Sequence, residues 1–200
     1  MNDTSRFNSD TKSDGRRLRS IRSREMIKAA IHDLIYSGNY SPRATDIAEK
    51  TQLSIRTVFR NIDDMDSLSR EIASDVENQV LPIYLKPYKT TTWREQLNEL
   101  VRNRCEIYEK IFPMRVSLSL RRFRSEYLRA TYERIFELER ASLQTILPNP
   151  ILEDDITFAA LNSLISTITW INLRLNLNYN AQKSQDILQY QVNCLVKQFE

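Results

Sequence analysis

Between Ser54 and Asn61 the sequence reads SIRTVFRN, placing Ser54, Arg56, Thr57, Arg60 and Asn61 within eight residues. Hydroxyl, guanidinium and carboxamide groups all hydrogen-bond to phosphate oxygens or base edges. On a helix this spacing gathers several of them on one side, with Val58 turned the other way. The chemistry is recognition of an anionic polymer, not bond making. Arg56 is the first candidate for a base edge, because a guanidinium can take guanine O6 and N7 together, and a phosphate contact is an equal alternative. Arg43 and Thr45, upstream, suit phosphates. Ser54 serves equally as a helix N-cap. Phe59 could lie against the sugar–phosphate wall or pack inside a small domain, and Asn61 could touch DNA or cap its own helix.

Those side chains need two short helices and a tight turn. Ser41-Pro42 reads as N-cap and first turn of a helix over about 42–50. Residues 51–53 turn the chain, and Ser54 starts a helix that runs to about Ile62. Ala48 is small enough for the crossing, and Ile47, Leu53 and Val58 hold the pair together. This is the pattern of a helix-turn-helix, whose second helix enters the major groove of DNA. Upstream, Met26, Ile27, Ala30, Ile31, Leu34 and Ile35 form a helical stripe from about Ser23, closed by Gly38-Asn39. Asp63 or Asp64 caps a following helix from Met65 towards Gln79.

Charge supports an anionic partner for the front of the chain. Residues 1–60 carry twelve Lys/Arg against seven Asp/Glu, and the remainder seventeen against nineteen. RRLRSIRSR, residues 16–24, has five arginines and no acid. Residues 1–22 therefore read as a flexible basic arm, 23–75 as the DNA-binding domain and 76–200 as a second helical domain.

With 2 glycines and 6 prolines in 200 residues, the chain is expected to be all-α. Helical stretches at roughly 92–111, 113–122, 125–147, 153–178 and 183–199 bring the total to about nine helices. Polar MNDTSRFNSDTKSDG lacks the apolar stretch of a secretory signal. No apolar run suits a membrane span. Cys105 and Cys194 are far apart in sequence with no CxxC, as for reduced thiols, so the expected compartment is the cytoplasm.

Enzyme readings find little support. His32 is the single histidine, so no pair of Glu-x-x-His motifs for a di-metal bundle exists. Asp63, Asp64 and Asp66 are better explained by capping and the helix dipole than by a metal. No P-loop, GxGxxG or nucleophile elbow appears, so neither a cofactor nor a metal is expected.

Over residues 24–72 the chain resembles the tetracycline-repressor (TetR-type) family of bacterial transcription regulators. REMIKAAIHDLIYSGN is similar to that family's first helix, TDIAEKTQLSIRTVFRNI to its helix-turn-helix with Phe59 where Tyr is usual, and DDMDSLSREI to the entry of its fourth helix. Four positions depart from the pattern. Gln52 stands where Gly is usual in the turn and calls for a positive φ. Arg56 replaces a small residue, Asn61 a histidine, and Met65 a phosphate-binding lysine. The resemblance implies a palindromic double-stranded operator, a homodimer, and a small-molecule effector bound in the second domain. It also implies a dimer face on the last two long helices. Phe158, Leu161, Leu164, Ile165, Ile168, Ile171 and Leu175, then Ile187, Leu188, Tyr190, Val192, Leu195, Val196 and Phe199, supply apolar stripes there, with a monomeric core as the alternative. Trp93, Tyr108, Phe112, Met114, Phe123, Tyr127, Tyr132 and Trp170 are candidate pocket residues, though such aromatics equally build cores. Arg115, Arg121, Arg122, Arg124 and Arg129 form a basic cluster that could welcome an anionic ligand or simply face solvent, with solvent the preferred reading. The alternative to a regulator is a helical protein-binding adaptor of the same fold that no longer binds an operator.

Overall fold

The structure is a computed structural model that describes residues 7–62, 65–123 and 125–199. Among them it is all-α, with ten α-helices and no strand. Asp63, Asp64 and Arg124, to which roles were given above, lie outside the described residues, as do residues 1–6 of the basic arm. The chain divides into two compact units within one helix, between Ile72 and Ala73.

In the first unit, α1 (Phe7–Tyr36) packs on α2 (Ala44–Thr51) and α3 (Ile55–Ile62), and α4 (Met65–Tyr84) begins. The predicted stripe forms the small core: Ile27, Ala30, Ile31 and Ile35 of α1 are buried with Ile47, Val58, Leu68 and Ile72. Gly38 ends α1 with φ at +100°, the left-handed conformation that glycine adopts without strain. The N–H of Asn39 then donates to the carbonyl of Leu34 at 2.9 Å. Arg24 ties α1 to α4, donating to Glu71 Oε1 at 2.7 and 2.9 Å and to Ser67 Oγ at 2.8 Å.

Helix α1 starts well before Ser23, the first residue of the predicted stripe. Residues 7–22 of the expected flexible arm are helical. They hold no proline and only Gly15, so nothing in the backbone interrupts a helix that the packed half nucleates.

The second unit is built around α5 (Trp93–Ser119), whose Leu97, Leu100, Val101, Ile107, Tyr108 and Ile111 are buried. It also contains α6 (Glu126–Gln144), α7 (Asn149–Leu152), α8 (Asp155–Leu164), α9 (Thr167–Ile171) with a π-helical turn Asn172–Asn176, and α10 (Ala181–Val196). Helix α10 lays Leu188, Val192 and Val196 on α5 and α8; full burial stabilises by roughly 2 kcal/mol for each large side chain.

Two predicted boundaries change. The break at Phe112-Pro113 does not occur: α5 runs through Pro113, and the burial of Ile111, Met114 and Leu118 on either side outweighs one lost backbone bond. The long helix over 153–178 is instead broken at Ile165-Ser166, where Ser166 caps α9 by accepting from Thr169 N–H. The break frees the carbonyl of Ile165, which accepts from Arg104 Nη1 and from Tyr108 O–H, both at 2.9 Å. Arg104 is 2% exposed and bonds also to the Glu139 carbonyl and to Ser142 Oγ. Buried Glu139 turns its carboxylate to Tyr108 (2.9 Å) and Tyr84 (3.2 Å). Burial first, then this carboxylate, pushes both phenols well above their usual range.

No single helix among the described residues is long and apolar enough to cross a membrane. The bent pair Asp155–Leu164 and Thr167–Asn176, turned by 47°, passes that test by composition. Its Phe158, Leu161, Ile165, Trp170 and Leu173 lie in the core of the unit.

Candidate nucleic-acid interface

The α2–turn–α3 segment is locked by its own polar groups. Arg43 occupies the N-cap of α2 in extended conformation, and its N–H donates to Asp46 Oδ2 at 2.9 Å. That bond, and then one from Asn39 Nδ2 at 3.0 Å, hold the Asp46 carboxyl below the usual carboxylate range. At the other end Gln52 adopts φ 57° and ψ 21°. The left-handed conformation costs a non-glycine residue about 1 kcal/mol. Gln52 offsets part of this by donating from Nε2 to the Glu49 carbonyl at 2.7 Å, one of the acceptors left open at a helix end.

Helix α3 has a clear inside and outside. Val58 is fully buried. Arg56 and Arg60, one turn apart, are exposed, and beside them Ile55 and Phe59 are 45% and 51% exposed. Phe59 therefore lies on the outer face and not in the small core. Ser54 caps the helix, accepting from Thr57 N–H at 3.2 Å, and its hydroxyl pairs with that of Thr57 at 2.9 Å. One hydroxyl proton is used there and the other remains for a partner. Arg43 and Thr45 are exposed at the start of α2.

Asn61 requires a correction. It is 8% exposed and donates from Nδ2 to the Thr57 carbonyl at 2.8 Å. Three residues after Val58, it shares the inward face and serves its own helix. Arg43, Thr45, Ser54, Arg56, Thr57, Phe59 and Arg60 remain on the accessible side.

A feature that the sequence did not reveal joins α1 to this surface. An open groove of about 610 Å³ is lined by Arg17, Arg19, Ser20 and Ser23 from α1 and by Leu53, Thr57 and Arg60. It presents three guanidinium groups and three hydroxyls, with no acid among the described residues that line it. The signal was present in RRLRSIRSR, where 17 and 20, and 19 and 23, share a helical face, but it becomes visible only once α1 is extended.

The aromatic candidates of the second unit do not converge on one cavity. Tyr108 and Trp170 are 0% and 1% exposed and are core residues. Trp170 Nε1 donates to Glu109 Oε2 at 3.1 Å, and Arg174 binds the same carboxylate through two bonds of 2.9 Å. Trp93 and Phe112 are half-buried against the core, Tyr127 is half-buried, and Phe123 is 80% exposed. An apolar slot exists elsewhere in this unit, between α4, α5 and α6, and none of these six residues lines it. Met114 is core, whereas Tyr132 packs under Arg115 with its ring centroid 3.7 Å from the guanidinium. Arg115 itself, expected at solvent, is 5% exposed.

Cys105 is buried and Cys194 exposed, both as free thiols. Burial pushes the Cys105 thiol up to about 12. Among the described residues no group of three or more His, Cys, Asp or Glu is placed to hold a metal ion. No family model matches this sequence, and neither a curated protein nor a solved structure matches it significantly.

Proposed function

We propose that this chain is a sequence-specific DNA-binding transcription regulator, a cytoplasmic homodimer that acts as a repressor released by a small-molecule effector, and not an enzyme. The observation that carries the reading is the outer face of α3. Arg56 and Arg60 stand exposed on a helix whose opposite face is fixed by Val58, and Arg17 and Arg19 line with Arg60 a groove that holds no acid among the described residues. Such a helix suits a major groove, with Arg56 reading a base edge and Arg43, Thr45, Ser54, Thr57 and Arg60 meeting phosphates. The resemblance to TetR-type regulators over residues 24–72 points the same way.

Dimerisation is supported by a second surface. Ala160, Ser163, Leu164, Thr169, Tyr190 and Leu195 line an open face of about 540 Å³ on α8–α10, with Tyr190 72% exposed. Two copies of that face would form a four-helix contact, and a two-fold protein matches a palindromic operator.

Selection of random double-stranded DNA on the purified protein tests the proposal, followed by titrations at several salt concentrations. The expected winner is palindromic, and its affinity falls steeply with salt because each neutralised phosphate releases counterions. Weak binding without an enriched sequence would move the adaptor reading forward. One observation favours that second reading: Ile55 and Phe59 are exposed side by side on α3, where an apolar groove of a partner protein would cover them.

A further inference from the structure

The slot between α4, α5 and α6 has a polar lining that is almost entirely spent. Glu77 accepts from Arg134 at 2.5 Å, and the Tyr84 hydroxyl donates to Glu139 at 3.2 Å. Half-buried Thr131 and buried Arg115 are the exceptions, and of the two Arg115 carries the charge. It lines the slot, is 5% exposed, and makes no ion pair among the described residues. Its Nε has no hydrogen-bond acceptor. The Tyr132 ring beneath it satisfies one face of the cation, and Arg122 approaches the same ring at 4.8 Å, so no anion is supplied from that side. A buried guanidinium without an anion is costly unless something else provides acceptors in the plane of its fork.

Apart from Thr131, the remaining walls are hydrocarbon, among them Val76, Val80, Ile111, Leu118 and Ile135. The free volume is about 50 Å³, well below the ~150 Å³ cavity that accepts a benzene ring. Neither a ring nor an octanoate chain fits the slot as it stands; the slot must widen as the mouth residues turn aside, and an unbranched chain, narrower than a ring, needs the smaller opening. Leu81 and Leu138, 40% and 49% exposed, are those residues.

We propose that this slot binds an unbranched aliphatic carboxylate, with its acid group on Arg115 and its chain running past Val76, Val80 and Ile111 towards the mouth. A carboxylate is the small planar anion that matches the guanidinium fork with two parallel bonds. The site rests on the geometry of the second unit alone. That its occupant is the effector rests on the regulatory reading given above.

Isothermal titration calorimetry of the full chain with sodium octanoate and with 1-octanol tests the site. Octanoate is expected to bind at least about tenfold more tightly than 1-octanol. Arg115→Met should remove that difference by weakening octanoate alone. Leu138→Trp, at a half-exposed position, should weaken both probes by filling the mouth while leaving Arg115 in place. Equal affinities for acid and alcohol, absence of binding, or unchanged binding to Leu138→Trp would overturn the proposal. If Arg115→Met does not fold, the acid–alcohol contrast and Leu138→Trp decide the matter. Octanoate that binds the slot but leaves operator affinity unaltered would sink its role as effector and keep the site. A protein that binds an operator but no octanoate would sink the site alone.

Discussion

Charge is handled in opposite ways in the two units. In the first, Arg17, Arg19, Arg56 and Arg60 stand at the surface, and the groove shared by Arg17, Arg19 and Arg60 contains no acid among the described residues. In the second, Arg104 and Glu139 are 2% and 4% exposed, and apart from Arg104 Nε, which like Arg115 Nε has no acceptor among the described residues, their polar atoms are directed at carbonyls and hydroxyls brought in from α4, α5, α6 and the α8–α9 break. Solvated cations cost the fold little and remain free for an outside partner. Buried ones fix the fold, because losing a single partner strands the others in a medium of low dielectric. Arg115 belongs to neither class, since it is buried like Arg104 and unpaired like Arg56.

Substitutions sharpen this contrast, and the core should show the largest effect. Arg104→Met removes the bonds to the Ile165 and Glu139 carbonyls and to Ser142 Oγ, and it should destabilise the protein by about 3 kcal/mol in urea unfolding. A loss below about 1 kcal/mol would show that the buried network is tolerated and not required. Next come Arg56→Ala and Arg60→Ala. Each should change stability by less than about 0.5 kcal/mol. Arg56→Ala should cost about 1–3 kcal/mol of operator binding and relax specificity at one base, whereas Arg60→Ala should lower the salt slope by about one, both read in DNA titrations. If either alters the fold as much as Arg104→Met does, the division between surface and core fails.

Glu109→Gln should destabilise by about 1 kcal/mol, because its bonds to Arg174 and Trp170 are only partly shielded from solvent. Gln52→Gly removes a strain of about 1 kcal/mol together with a compensating hydrogen bond, so its net effect should stay within about 0.5 kcal/mol. Gln52→Ala keeps the strain and loses the bond, and thermal melts should rank it below both.

The smallest effect is one of pH, and it compares a cap from each unit. Asp46 is held below the usual carboxylate range by the Arg43 backbone N–H first, and Asp154 by bonds from the Thr157 backbone first. A carboxyl depressed in the folded state contributes stability above its unfolded value and loses it as pH falls through the folded one. Stability should therefore drop on acidification below the normal carboxylate range. Asp46→Asn should reduce that drop by a part that Asp154→Asn does not reproduce, as measured by unfolding at a series of acidic pH values.

The first unit was more legible in the sequence than the second, for physical reasons. Pro42, Ser54, Gly38 and the stripe from Ile27 to Ile35 act locally, so the bounds of α2 and α3 can be read within two residues. The left-handed Gln52 was readable from the resemblance, which puts glycine at that turn position. In the second unit the decisive contacts are far apart in sequence. No local signal shows that Arg104 and Tyr108 capture the Ile165 carbonyl, and so the 153–178 stripe reads as unbroken. Pro113 reads as a stop because its packing partners are invisible from its neighbours. The aromatics were overvalued as pocket residues for the same reason: Tyr108 and Trp170 face a core that only the tertiary fold assembles. Asn61 was misplaced by composition, although its spacing from Val58 already put it on the inner face.

Both tryptophans, Trp93 and Trp170, lie in the second unit, and Trp170 is almost completely enclosed beside Glu109. Their emission thus reports the melting of that unit and is blind to the helix-turn-helix. Circular dichroism at 222 nm records helices from both. The offset between the two transitions is a built-in gauge of whether α4, which runs through the boundary at Ile72 and Ala73, makes the units unfold as one.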